Sequence, residues 1–498
     1  MAGLVDAHVH IESSMLTPQH FGELVIKCGT IATVSDPHEI ANVMGSEGID
    51  FMLKNAELSP LKHFFTIPSC VPTCSFDVSG AIISSYNVEQ LAASGNFVAL
   101  SEMMNIPGVL YSDPEVMAKL DSAKKHNLPI DGHAPLVVGD DIKKYISAGI
   151  STDHETISLE ESLEKLANGM KIIIREGSAA KNYNALHTLI SSHKDELMFC
   201  TDDSHPDDLL EYGEIDNIIR KGLKNGYSIF DLLQIASTNA IEHYNLDIGN
   251  LKVGDKADFI VVENLENLKV KSVFIDGIEK FNINSKSYNT HDKIELNNFN
   301  HDPITEKMLK NPVRQEAIPI IGIIKDEIVT NLDYYTPNQE LANLESDLEN
   351  DILKIVYINR YNNTAPQISY CKGFGFKQGA IASSICHDSH NIVAVGTNDK
   401  ELTLVINKLI NNKGGLAVSN GKEINILPLP IAGIMSDKNG ETVANDYREI
   451  QKMVKEMGSK MSASFMTLSF LTLVVIPFAK IGENGLFDYS RFDWVNPN

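Results

Sequence analysis

The segment His8-Val9-His10 stands at the end of an apolar run, Gly3-Leu4-Val5-Asp6-Ala7. On a strand, alternate side chains point to the same face, so these two imidazoles project together. Neutral imidazole is the commonest metal-binding side chain, and two from one strand can hold one divalent ion. Such a pair is often plain structure. It gains weight here because other apolar segments end in similar residues. Residues 30–35 run into Asp36-Pro37-His38-Glu39, and 97–102 end in Ser101-Glu102. Residues 129–133 end in His133, 149–154 in Asp153-His154 followed by Glu155, 170–175 in Arg175, and 197–202 in Asp202 followed by Asp203. One further segment, 64–68, leads into Ser69-Cys70-Val71-Pro72 and brings neither carboxylate nor imidazole. Acids and imidazoles gathered at one end of many strands suit a divalent-metal centre, with a carboxylate to spare for moving protons.

Elements that place these residues together follow from the alternation of short apolar strands with helical patterns. That alternation predicts repeated βα units and a parallel sheet. Eight such strands make a (β/α)8 barrel over 1–248, whose chemistry collects at the C-terminal strand ends. Helices are expected at 113–126 and 229–244. From 249 to 281 the texture changes to short antiparallel strands, among them 257–262 and 270–276, which read as part of a small β-sandwich. Residues 282–312, rich in Asn, Ser, Asp and Lys, read as an exposed linker. A C-terminal α/β domain is expected over 313–498, with strands at 318–325, 351–359, 379–384 and 392–397.

A net charge of −24 over 498 residues, with no basic run, argues against a nucleic-acid partner. The six cysteines are scattered and read as reduced thiols in a cytoplasmic protein. No secretory leader is read at the start. Residues 461–479 carry no charge and approach membrane-spanning length. Their five Ser or Thr residues and Pro477 favour a buried strand-and-turn segment over a membrane span.

Taken together, these motifs resemble the bacterial adenine deaminases of the amidohydrolase superfamily. The resemblance rests on Asp6-Ala7-His8-Val9-His10-Ile11-Glu12, Asp36-Pro37-His38-Glu39, Ser101-Glu102-Met103-Met104, Asp131-Gly132-His133-Ala134-Pro135, Thr152-Asp153-His154-Glu155, Arg175-Glu176-Gly177-Ser178 and Thr201-Asp202-Asp203. It continues through Gly379-Ala380-Ile381-Ala382-Ser383-Ser384, His387-Asp388-Ser389-His390-Asn391 and Leu427-Pro428-Leu429-Pro430. It implies a metal-dependent hydrolase barrel that converts adenine and water to hypoxanthine and ammonia in purine salvage. The family has a segment before the His-x-His strand that pairs with the strands after Gly249. Here the chain opens at that strand, through truncation, a mis-called start or natural shortening, and 257–262 and 270–276 are expected to lack partners.

The resemblance also implies roles. His8, His10 and Asp202 would hold one ion, His133 and His154 the second, and Glu102 would bridge the two. A hydroxide shared between them would attack the purine. Mn²⁺ is favoured, and Fe²⁺ or Zn²⁺ would also suit these donors. Glu155 and Asp202 are the candidates for moving protons, with Asp203 third, and Glu155 has the alternative of orienting a histidine. Asp36, His38, Arg175 and Ser178 are candidates to read the base. His387, Asp388 and His390 would close the pocket from the second domain. No membrane partner is expected, and a homo-oligomer is left open.

Two other patterns fail. His10-Ile11-Glu12 matches half of a zinc deaminase signature, but Cys70-Val71-Pro72-Thr73-Cys74 has the wrong spacing for the other half. Gly373-Phe374-Gly375-Phe376-Lys377-Gln378-Gly379 resembles a phosphate loop only loosely and reads as a tight turn. The competing functions are a cyclic-amide or N-acyl hydrolase on the same barrel and a non-catalytic, degenerate homologue.

Overall fold

Strand β1 (Leu4–Val9) is buried along its whole length, as expected of a strand covered on both faces in a parallel sheet. A computed structural model describes residues 1–284, 296–313, 317–325, 327–338 and 341–495. In it β1 is followed by β2 (Thr30–Ser35), β3 (Lys62–Ile67), β4 (Phe97–Met103) and β5 (Ile130–Gly132), paired in that order. A second run joins β6 (Thr152–Asp153), β7 (Lys171–Arg175) and β8 (Leu197–Cys200). Every pairing is parallel. Two seams close the barrel. Ser151 N–H donates to the Ile130 carbonyl at 2.9 Å, and Asp202 N–H donates to the His8 carbonyl at 3.0 Å. The expected eight strands are therefore present, with β5 and β6 ending just before His133 and His154.

Flanking helices form where the sequence supplies caps. The helix Pro114–Lys125 starts on Asp113, whose carboxylate accepts from the Glu115 and Val116 amides. Residues 229–244 are helical throughout, passing through a π turn at Gln234–Thr238.

The helix Leu159–Ala167 carries a buried lysine that fixes two site loops. Lys165 Nζ donates to the Ala134 carbonyl at 2.7 Å, Asp153 Oδ2 at 3.0 Å, Thr156 Oγ1 at 3.0 Å and Glu161 Oε1 at 2.6 Å. Asp153 Oδ1 in turn accepts from Ala134 N–H at 2.8 Å. One ammonium thus ties the loop after β5 to the loop after β6.

Beyond the barrel, β9 (Phe259–Val262), β10 (Val270–Ile275) and β11 (Ile278–Asn282) form one antiparallel sheet in the order 11-10-9. The expectation that 257–262 and 270–276 lack partners is corrected. β10 is paired on both edges, and Ala2 forms an antiparallel bridge to Phe259. Ile260 exchanges two 3.0 Å hydrogen bonds with Met1, so the first residues of the chain satisfy the outer edge of β9.

Residues 282–312 were expected to form an exposed linker, and 285–295 lie outside the described residues. Most of 296–312 is exposed or half-buried, and a few of its residues anchor it. Ile304 and Leu309 are buried in the next core, and Leu309 offers its carbonyl to Lys354 at 2.7 Å. The C-terminal sheet has eight strands in the order β13-β12-β15-β14-β17-β16-β18-β19: Thr330–Tyr335, Ile318–Ile323, Gln367–Lys372, Ile352–Ile358, Ile392–Gly396, Ala380–Ser383, Gly415–Ser419 and Ile424–Pro428. All pairings are antiparallel except that of β12 with β15. Four of these strands match expectation; the other four were not foreseen. Along β14, Val356 and Ile358 face the helix Asp399–Asn412, while Ile355 and Tyr357 face the core shared with the barrel.

The uncharged stretch 461–479 is buried, but it is not strand and turn. It opens with the helix Ser464–Phe470, turns, and enters the strand Ala479–Gly482. No helix among the described residues is long and apolar enough to cross a membrane.

Removing one partner of a buried ion pair strands the other charge and costs about 3–5 kcal/mol. Lys165→Met is expected to lower unfolding free energy by that amount in urea titrations, because Asp153 and Glu161 lose their counter-charge. A variant as stable as the parent would show that Lys165 does not hold the two loops.

Candidate active site

At the end of β4, Glu102 is surrounded by imidazoles from four other segments. Its Oε1 lies 3.1 Å from His10 Nε2, 3.7 Å from His38 Nδ1 and 3.9 Å from His8 Nε2. Its Oε2 lies 2.6 Å from His133 Nδ1 and 3.2 Å from His154 Nε2. Burial alone would raise the Glu102 pKa. The charge on His133 and hydrogen bonds from His10, His133 and His154 outweigh burial and hold the carboxyl well below the usual range.

Asp202 completes the ring from the end of β8, in the left-handed backbone conformation (φ +55°) that Asp adopts more readily than most residues. Its Oδ1 lies 3.1 Å from His10 Nε2 and 3.4 Å from His8 Nε2. Burial would raise its pKa as well, but the Arg175 guanidinium, then His10 and His8, keep it well below the ordinary value.

The donors fit divalent ions. His8 Nε2 and His10 Nε2 face each other at 3.2 Å beside two carboxylates. The Asp36 carbonyl, which can only accept, lies 3.2 Å from His10 Nδ1. It fixes the proton there and leaves the Nε2 lone pair directed at the acids. Three buried donor groups sit within 4.8 Å as His8–His154–Asp202, as Glu102–His133–His154 and, with Asp36, as His10–His38–Glu102. Electrostatics agree with this reading. Against burial, hydrogen bonding to and the charge of Glu102 raise His154 to about 9, and Asp202 and Glu102 raise His10 well above an ordinary imidazole. A cluster that draws protons this strongly draws cations too. His8 is pushed down to about 4 by burial and by His154, so it stays a neutral donor.

Glu155 leaves β6 and turns back over this ring. Its Oε1 lies 3.8 Å from His133 Nδ1 and 3.7 Å from His154 Nε2. Arg175 Nη1 donates to both Glu155 and Asp202, and Arg175 Nη2 donates to Glu155 Oε2 at 3.1 Å. Arg175 Nε is satisfied by the Ala180 carbonyl at 2.9 Å. The guanidinium is thus engaged by protein acceptors, although it still borders the pocket.

The remaining expected residues separate into two groups. His38, Asp203, His387 and Asp388 line the same pocket as the ring. His38 Nδ1 is 2.8 Å from Asp36 Oδ2, so the Asp36 carboxylate orients His38, whose Nε2 lies 3.5 Å from Asp388 Oδ2. Asp203 accepts from Ser13 Oγ at 2.5 Å; burial, then Asp202, raise it to about 6. Ser178 and His390 are not brought to the ring. Ser178 Oγ donates to Asp208 at 2.5 Å and accepts from the His205 amide at 2.8 Å, which anchors the loop after β7. His390 is buried behind the pocket wall.

The sequence reading missed the ceiling. Phe470, Leu473 and Ile476 cover the pocket together with Ile328. Lys480, fully buried, donates to the Ile328 carbonyl at 2.8 Å and the Phe470 carbonyl at 3.0 Å, and fastens the two parts. Its pKa is pushed down to about 7 by burial. The lack of charge in 461–479 was the available signal, but it could not say what the segment covers.

Comparison with known proteins agrees with this architecture. Residues 1–279 match the amidohydrolase family and residues 327–493 the adenine deaminase C-terminal domain. An adenine deaminase of Methanosarcina mazei is 46% identical over 100% of this chain and 92% of its own length. Another, from Sulfurovum sp., is 47% identical over 100% of this chain and 92% of its own length. Among solved structures, a beta-aspartyl dipeptidase from Fervidobacterium islandicum AW-1 is similar over 59% of this chain and 86% of its own, at 16% identity and a TM-score of 0.43. With a barrel that brings His8, His10, Glu102, His133, His154 and Asp202 into one buried ring, and relatives of this likeness along its full length, the chain belongs to the adenine deaminases of the amidohydrolase family.

Proposed function

We propose that the chain hydrolyses adenine to hypoxanthine and ammonia, with two divalent ions held by His8, His10, Asp202, His133, His154 and the shared Glu102. The observation that carries the reading is Glu155, a pocket-wall carboxylate within 3.8 Å of both His133 and His154 and fixed by Arg175. Full-length similarity to proteins named adenine deaminase supports the substrate. Imidazole and carboxylate donors suit Mn²⁺, Fe²⁺ or Zn²⁺. When bound, the ions lower the pKa of water and so supply a nucleophile near neutral pH.

The chain's own residues do the rest. Water adds at C6 of the purine and the amino group leaves as ammonia, so protons must reach a ring nitrogen and the leaving nitrogen. Glu155 takes one proton from the attacking water and delivers it to the ring nitrogen; it then carries the remaining C6 hydroxyl proton to the amino nitrogen, so that the C–N bond breaks as the C6 carbonyl forms. Arg175 holds its carboxylate in line through Nη1 and Nη2. The apolar ceiling of Phe470, Leu473 and Ile476 packs the flat base and excludes bulk water, which strengthens each charge interaction beneath it. His38 and Asp388 present polar atoms to the base edge from opposite domains. The reaction fits purine salvage in the cytoplasm.

Purified protein refilled with Mn²⁺ is expected to release ammonia from adenine and from no pyrimidine in a substrate panel. Ring opening of a cyclic amide, with adenine untouched, would reassign the barrel to that chemistry. Glu102→Gln is expected to lose bound metal and deaminase activity together; full metal content with normal turnover would end its shared role. Glu155→Gln should keep its metal and its adenine binding while kcat falls by about 10²–10⁴, the usual worth of a positioned proton carrier. Near-normal turnover in that variant would pass the task to Asp202 or Asp203.

A further inference from the structure

A second group of side chains able to hold a metal lies at the pocket's edge, where Glu39 and His387 line the wall and His390 lies behind it. Glu39 stands in the first turn of the helix His38–Met44, on the barrel. His387 and His390 come from the turn that follows β16 in the C-terminal sheet. One donor atom from each lies within 4.8 Å of the others. All three are buried, with relative exposures of 1% for Glu39, 3% for His387 and 0% for His390.

Two atoms in this group have no partner. Glu39 Oε1 lies 2.8 Å from Ser13 Oγ, which it shares with Asp203, and faces His387 Nδ1 at 3.2 Å, but Glu39 Oε2 accepts nothing. His390 Nε2 is likewise unpaired, and it lies 3.8 Å from that same Oε2. The gap is too long for a hydrogen bond. It suits two ligands of one ion, each at about 2.1 Å from the metal. Glu12, which accepts from Ile40 N–H at 3.2 Å, adds another buried oxygen without a partner, Oε2, beside Glu39.

We propose that Glu39, His387 and His390 form a third divalent-cation site, separate from the barrel centre, which clamps the C-terminal sheet to the barrel mouth. Two imidazoles and one carboxylate select a transition ion such as Zn²⁺ or Mn²⁺ over Ca²⁺ or Mg²⁺. Ligation through His390 Nε2 puts the ring proton on Nδ1 and gives up its long 3.4 Å contact with the Cys386 amide. Burial pushes His390 down to about 3, which keeps the ring neutral and ready to bind.

The test is a metal count on the full chain, stripped with chelator, refilled with Mn²⁺ or Zn²⁺, desalted and measured by mass spectrometry. Three equivalents are expected. His390→Ala and Glu39→Gln should each lose one, with the circular dichroism spectrum unchanged. The double variant His8→Ala/His10→Ala should lose metal from the barrel centre and keep this ion, so failure of the two-ion reading is seen separately. An equal count in the parent and both single variants overturns the site, whether that count is two or three. If one variant does not fold, the parent and the other variant decide in the same way.

Discussion

Burying the Glu102 carboxylate is the constraint on which the barrel mouth depends. An isolated buried charge is too costly to keep, so each charged atom in the ring must find an opposite charge on another strand. Glu102 answers to His10 on β1's exit, to His133 after β5 and to His154 after β6. Asp202 answers to His8, His10 and Arg175. No short segment can satisfy itself, and the ring is coherent only when the barrel is closed. Protons and divalent ions are two ways of meeting the same requirement.

Three buried cations outside the ring hold it in place, each by different means. Lys165 works from below through two carboxylates and a carbonyl. Arg175 works from the side and donates to both Glu155 and Asp202. Lys480 works from above with backbone carbonyls and forms no ion pair among the described residues. Carbonyl dipoles offset burial less well than an anion does, and the depressed pKa of Lys480 follows.

Much of this was legible in the sequence, for a definite reason. Ligands at strand ends are local facts: His8 and His10 share a face because of the two-residue strand period, and the βα alternation forces parallel strands. The inward turn of Glu155 was legible only as a strand-end effect. Strand alternation alone points it away, and it faces the ring because β6 ends at Asp153. Lys165 was invisible because an amphipathic helix with a lysine reads as a solvated face until its partners are known. The ceiling was invisible because apolar residues carry no mark of what they cover. In Asn-rich 296–312, composition gave no sign that Ile304 and Leu309 would be buried as anchors.

The ceiling has a consequence for how the molecule is made. Its residues, 470 to 476, lie near the opposite end of the chain from His8 and His10. Synthesis runs from the N-terminus, and domains fold in that order as they emerge. The barrel's last strand is complete at residue 200, so the ring of ligands can close long before its cover exists. Until the final segment leaves the ribosome, the acids and imidazoles face open water and whatever ions the cell supplies. Contacts spanning more than 400 residues form slowly compared with local ones. The nascent enzyme thus passes through a stage in which its ligands are assembled and its chemistry is not yet enclosed.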